Sequence, residues 1–152
     1  MQVHVHIDIS KPKEVVWAAI TQLENAERMI SAITDLKVLN QPQDTLVGLK
    51  WQETREMFGQ KSTETMWVTE SVENKYYCTR AESHGSVYIT KLVLSSIDEN
   101  TKLTMSFSAQ AQSWGVKIMA ACMGVLIKGS MKKALYKDLL DIKNFLEKPP
   151  VP

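Results

Sequence analysis

The sequence predicts an α+β domain in which a long C-terminal helix lies across a curved antiparallel sheet, and three observations carry that reading. Residues 3–9 alternate strictly in polarity, residues 33–110 read as strands separated by turn chemistry, and residues 114–147 contain no proline. A chain of 152 residues has room for one compact domain that buries roughly 70% of its unfolded surface and needs no staples. That domain is expected over residues 1–148, with residues 149–152 a frayed tail because Pro149, Pro150 and Pro152 cannot continue a helix.

The first strand follows from Val3, Val5, Ile7 and Ile9 pointing one way and His4, His6 and Asp8 the other. Ser10 and Pro12 then supply an N-cap and a first-turn proline for a short helix whose apolar side is Val15, Val16, Ala19 and Ile20 with Trp17. A second short helix is expected around Glu24 to Ser31. Five turn sequences follow: Gln41-Pro42-Gln43-Asp44, Phe58-Gly59-Gln60, Glu73-Asn74-Lys75, Ser83-His84-Gly85 and Asp98-Glu99-Asn100. They separate six consecutive strands. Turns this short join antiparallel neighbours, since parallel ones need crossovers of a dozen or more residues, so the sheet is expected to have seven strands with the first included.

In the last segment Ile127, Met131, Leu135, Leu139, Ile142 and Leu146 recur every three or four residues, the period of an amphipathic helix. Its first half differs, because Ile118 to Ile127 is apolar all round. That run falls well short of the ~20 residues that span a bilayer, so the sheet, a second subunit in a homodimer or a bound ligand must cover it.

Composition removes several classes of function. Lys plus Arg number 18 and Asp plus Glu 17, so the +1 balance creates no broad positive field and nucleic acid is not an expected partner. Cys78 and Cys122 lack metal-type spacing and suit free thiols in a reducing cytosol. The opening Met1-Gln2-Val3-His4-Val5-His6 does not read as a secretory signal, so a cytoplasmic protein starting here is expected. His4 and His6 share a strand face without an identifiable third ligand, and His84 sits in a turn beside Gly85. Neither place argues for a metal. The chain contains no nucleophile elbow, phosphate loop, dinucleotide fingerprint or zinc motif, and no cofactor is expected.

The stretch Leu49 to Met57 is the most informative for function. Lys50, Gln52, Thr54 and Glu56 form one polar face, which leaves Leu49, Trp51, Glu53, Arg55 and Met57 on the other. If the polar face meets water, Glu53 and Arg55 point inward, at a cost of several kcal/mol of desolvation per ion before pairing recovers any of it. Two readings stand open: a polar anchor in an apolar pocket, orienting a ligand carboxylate, hydroxyl or carbonyl, or a structural pair at the sheet rim with its heads in water.

The same alternation puts Met66 and Val68, then Tyr88, Leu92 and Leu94, then Leu103, Met105, Phe107 and Ala109 on the inward side, with Met119, Cys122, Met123 and Leu126 facing them from the helix. Such residues line a pocket or fill a core, and periodicity does not separate the two. A general acid or base against a ligand would come from Glu53, Tyr77, Tyr88 or Glu64. Lys117, Lys128, Lys132, Lys133, Lys137 and Lys143 form a basic strip along the helix that suits an anionic membrane surface, but Asp138, Asp141 and Glu147 interrupt it and a wet helix side reads the same way.

With Ile7-Asp8-Ile9-Ser10-Lys11-Pro12-Lys13-Glu14-Val15-Val16-Trp17 at its opening, Val47 to Arg55 in its third strand and the closing helix Met131 to Leu146, nearly the whole chain resembles the START/birch-pollen-allergen-like (SRPBCC, polyketide cyclase/dehydratase-like) superfamily. The resemblance implies a helix-grip fold whose sheet wraps the long helix around a cavity for lipids, sterols, polyketides or other apolar molecules. A ligand carrier follows from it most directly. The family also implies two alternatives: a polyketide cyclase or dehydratase-like enzyme using Glu53, Arg55 or a tyrosine, and a protein-interaction module like its chaperone-activating members.

Overall fold

The computed structural model describes residues 2–57, 59–83, 85–111 and 114–148, with the side chains at 57 and 114–127 outside that description. Strand β1, Gln2–Ile9, buries Val3, Val5, Ile7 and Ile9 and leaves His4, His6 and Asp8 exposed, as alternation on a one-sided sheet demands. Helix α1, Lys13–Thr21, follows. Its first carbonyl acceptor is Pro12, bonded by the amides of Val15 and Val16 at 3.0 and 3.2 Å.

Two expectations about this segment are corrected. Pro12, extended at φ −68° and ψ 157°, occupies the N-cap position with no side-chain cap, while the Ser10 amide donates instead to Glu147 Oε2 at 3.1 Å. Val15 is 42% exposed, so the buried side of α1 is Val16, Ala19 and Ile20. The second helix is shorter than expected: a 3₁₀ turn at Leu23–Asn25 runs into α2, Ala26–Met29, which buries Ala26 and Met29.

Six strands follow: β2 Ile33–Asn40, β3 Lys50–Met57, β4 Gln60–Val72, β5 Tyr76–Ser83, β6 Ser86–Ile97 and β7 Asn100–Ala111. Every pairing is antiparallel, in the order β1-β7-β6-β5-β4-β3-β2, so the first and last strands meet in register at Val5 and Met105. The breaks fall at the five turn sequences. Asn74 and Asp98 take φ of 62° and 55° in two hairpins, a region short polar side chains tolerate, and Gly59 and Gly85 take φ 77° in two others.

Helix α3 runs from Trp114 to Glu147 and packs against β1 and β7. Leu139 and Ile142 from the helix meet Ile9 and Leu103 from the sheet in the most deeply buried part of the core, each at 1% exposure or less. Two acidic side chains clip α3 to the N-terminal third. Asp141 accepts from the Ser31 amide at 3.0 Å and its hydroxyl at 2.8 Å and pairs with Lys137. Glu147 accepts from Ser10 and pairs with Lys143 at 2.6 Å, and Lys143 also donates to the Asp8 carbonyl at 2.6 Å. The expected basic strip is therefore partly neutralised at Lys137 and Lys143, while Lys128, Lys132 and Lys133 remain exposed. Among the described residues no helix is long and apolar enough to cross a membrane.

Candidate functional site

Between the concave sheet and the helices lies a cavity of about 310 Å³, at the lower end of the range for small-molecule sites. Its wall takes Trp51, Glu53 and Arg55 from β3, Met66 from β4, Tyr88 and Leu92 from β6, and Met105 and Phe107 from β7. The fold brings these eight inward residues of the strand alternation to one surface. The Tyr88 and Phe107 rings stack with centroids 5.9 Å apart and planes 20° off parallel.

Other candidates fall elsewhere. Val68 is not on the cavity wall: it bonds through its amide and carbonyl to Leu49 and Gly48 at 2.9 and 3.0 Å, where the 41–49 loop rejoins the sheet, and is 2% exposed within the core. Leu94 and Leu103 are likewise core residues, not lining. The side chains of Met57, Met119, Cys122, Met123 and Leu126 lie outside the described residues.

Two parts of the wall are missing from the sequence reading. The short helices contribute Ala19, Ile20, Ala26 and Met29, because α1 and α2 turn their buried sides toward the sheet. Helix α3 contributes Met131, Leu135, Asp138 and Ile142, spaced four, three and four apart on one helical face. The charge pattern groups Asp138 with the lysines of the wet side; it is 2% exposed. The signal that finds it is that spacing, which sets an acid in the apolar stripe.

Asp138 completes an inward ionic cluster. Arg55 donates from Nε to Glu53 Oε2 at 3.0 Å and from Nη1 to Asp138 Oδ2 at 2.8 Å, bridging β3 and α3. Trp51 Nε1 donates to the other oxygen of Glu53 at 3.3 Å, so both Glu53 oxygens are engaged. Asp138 Oδ1 is buried and has no hydrogen-bond partner among the described residues. Burial works against the Arg55 charge, but the Asp138 and Glu53 carboxylates outweigh it and hold the guanidinium above its usual range. Burial pushes the Asp138 carboxyl up, and the pull of Arg55 does not cancel that push because Glu53 and Asp141 add to it.

The remaining acid-base candidates also line the cavity. Tyr77 stands edge-on to Trp17, with centroids 5.8 Å apart and an interplanar angle of 80°, and donates to the Ile20 carbonyl at 3.2 Å. Burial, aided by Glu53, pushes its phenol well above the ordinary tyrosine range. Glu64 pairs directly across the strands with Glu53 and accepts from the Ser62 hydroxyl at 3.2 Å. Among the described residues no group of three or more His, Cys, Asp or Glu is placed to hold a metal ion.

The architecture has solved counterparts at low identity. TTHA0849 from Thermus thermophilus superposes with a TM-score of 0.81 at 14% identity, covering 96% of this chain and 97% of the other. The Zhui aromatase/cyclase from Streptomyces sp. R1128 gives 0.81 at 12% identity over 97% and 94%. A START superfamily protein from Mycobacterium smegmatis gives 0.79 at 13% identity, covering 97% of each chain. These likenesses establish the helix-grip fold. No curated protein sequence matches the chain. The family model described as polyketide cyclase / dehydrase and lipid transport matches residues 1–137 of the 152. By that match the chain belongs to the polyketide cyclase / dehydrase and lipid transport family.

Proposed function

We propose that the protein binds or carries a small hydrophobic molecule, a lipid, a polyketide or similar, in the cavity between sheet and α3. The observation that carries this reading is a cavity of about 310 Å³ with a largely apolar wall in which Arg55 pairs with Glu53 and Asp138. Apolar lining supplies most of the binding energy, and a few fixed polar groups orient the ligand. A core packed only for stability gains nothing from this cluster, because hydrophobic residues of the same volume would serve as well or better. The family's association with polyketides and lipid transport agrees with an apolar occupant.

The test is native mass spectrometry of freshly purified protein, then solvent extraction and identification of what is released. A stoichiometric apolar adduct that is lost on denaturation is expected. A clean apo mass, together with no binding of apolar fluorescent probes, would overturn the proposal.

Asp138 favours a second reading, a cyclase- or dehydratase-like enzyme. Its carboxyl lies in the cavity wall and burial holds it above the usual carboxylate range, which suits a proton store. Under this reading Asp138→Asn abolishes turnover of a substrate found by screening while probe binding persists. Unchanged turnover in that variant would remove Asp138 from the chemistry.

A further inference from the structure

We infer that the ligand's polar end is a cationic amine on an apolar body, recognised jointly by Glu53, Glu64 and Asp138. This inference rests on the proposed binding role and adds the sign of the ligand's charge to it. The cavity wall has three carboxylates, Glu53, Glu64 and Asp138, and one cation, Arg55, among the described residues. With all four ionised the wall carries a formal excess of two negative charges.

Arg55 does not offset that excess for an incoming anion. Its Nε and Nη1 already serve Glu53 at 3.0 Å and Asp138 at 2.8 Å. A ligand carboxylate would bring a fourth negative charge to a wall whose one guanidinium already faces two carboxylates. From sequence a ligand carboxylate, hydroxyl or carbonyl stands open at Glu53 and Arg55; the charge balance of the wall disfavours the carboxylate.

Two further features ask for a positive donor. Glu53 and Glu64 are register partners across β3 and β4 and both face the cavity, an arrangement of like charges that destabilises a sheet unless something lies between them. Among the described residues no cation pairs with Glu64, whose bond is to the Ser62 hydroxyl. Asp138 lines the same cavity at 2% exposure with its Oδ1 unpartnered among the described residues, and a buried carboxylate oxygen without a donor is costly. An ammonium has three donors and a compact charge, enough to serve several carboxylates at once, whereas a hydroxyl offers one donor and no charge. Trp51, Tyr88 and Phe107 also line the wall, and aromatic rings attract cations.

The test compares three probes with one apolar body: 1-naphthylmethylamine, 1-naphthylmethanol and 1-naphthoate, titrated into the whole protein at pH 7 by calorimetry. The amine is expected to bind about tenfold or more tighter than the alcohol, since hydrogen bonds between charged groups exceed neutral ones by that order, with the carboxylate weakest. Glu64→Gln, at a half-buried position that tolerates an amide, is expected to narrow the amine-to-alcohol ratio by about threefold or more. An alcohol or carboxylate that binds as tightly as the amine, or a ratio unmoved by Glu64→Gln, overturns the cationic ligand and leaves the cavity reading in place. Failure of all three probes to bind overturns the cationic ligand, and together with a clean apo mass it overturns the cavity reading as well.

Discussion

Asp138 and Asp141 stand three residues apart on α3 and are driven in opposite directions. Burial pushes Asp141 up, but hydrogen bonds from Lys137 and from the Ser31 amide and hydroxyl outweigh it, and its carboxyl sits below the usual carboxylate range. Asp138 is buried more deeply, and its cation, Arg55, is shared with Glu53, so its carboxyl sits above that range. Each region sets an aspartate of the same helix against a cation. What separates them is depth of burial and the supply of donors per carboxylate: the outer clip is matched, and among the described residues the inner cluster has an oxygen left over. A matched clip holds two elements together. An under-supplied buried cluster costs stability, which is the mark of a group kept for something besides folding.

The largest effect should come from removing the inner cation. Arg55→Met leaves Glu53 and Asp138 buried without compensation and is expected to cost about 3–5 kcal/mol in urea unfolding. Adding Asp138→Leu should recover part of that loss, because it removes one uncompensated charge. If the double variant is no more stable than the single one, the cluster is not short of positive charge, and the contrast with the clip fails. Removing the outer acid should cost less: Asp141→Ala is expected to lose about 2 kcal/mol at neutral pH, the worth of hydrogen bonds to a charged group that the solvent only partly replaces.

The pH dependence sharpens the comparison, because the two acids contribute with opposite sign. The folded pKa of Asp141 lies below its ordinary 3.8, so its contribution is fully present above that value and is lost as pH falls through the folded one. The folded pKa of Asp138 lies above 3.8, so its favourable contribution is present below that value and is lost as pH rises through the folded one. Relative to wild type, Asp141→Asn should therefore be most deficient at neutral pH and recover in acid. Asp138→Asn should be most deficient in acid and recover toward neutral pH. Chemical denaturation from pH 3 to 7 checks both, and parallel slopes would show that the two carboxyls experience the same environment.

The smallest effect belongs to Lys143→Met. It loses a part-exposed i,i+4 pair with Glu147 worth about 0.3–0.5 kcal/mol and a bond to the Asp8 carbonyl worth about 0.5–1 kcal/mol. That loss should fade in high salt, whereas the Arg55→Met loss should persist, because salt screens exposed charges far better than buried ones.

Much of the site is legible without the fold. Strict alternation in β3 sends Trp51, Glu53 and Arg55 to the same side, and the polar companions Lys50, Gln52, Thr54 and Glu56 identify which side meets water. Asp138 misleads because it follows Lys137 in a charge run, although its spacing from Met131, Leu135 and Ile142 places it in the apolar stripe. Ser10 misleads for a similar reason. A serine ahead of a helix resembles a cap, but the extended backbone at Pro12 starts the helix at Lys13, and the Ser10 amide is used by Glu147, 137 residues later.

The sequence by itself determined the elements: where the chain turns, which residues alternate, and where a helix of 34 residues can run. These depend on local backbone preference and on periods of 2 and 3.6, and both are properties of neighbouring residues. Only the tertiary structure decided that Asp138 meets Arg55 across α3 and β3, that Glu64 stands opposite Glu53, that α1 and α2 wall the cavity, and that Val68 does not. Those outcomes depend on register and on how far the helices stand from the sheet. They are set by packing between residues distant in the chain, and periodicity along one segment contains no information about its distance from another.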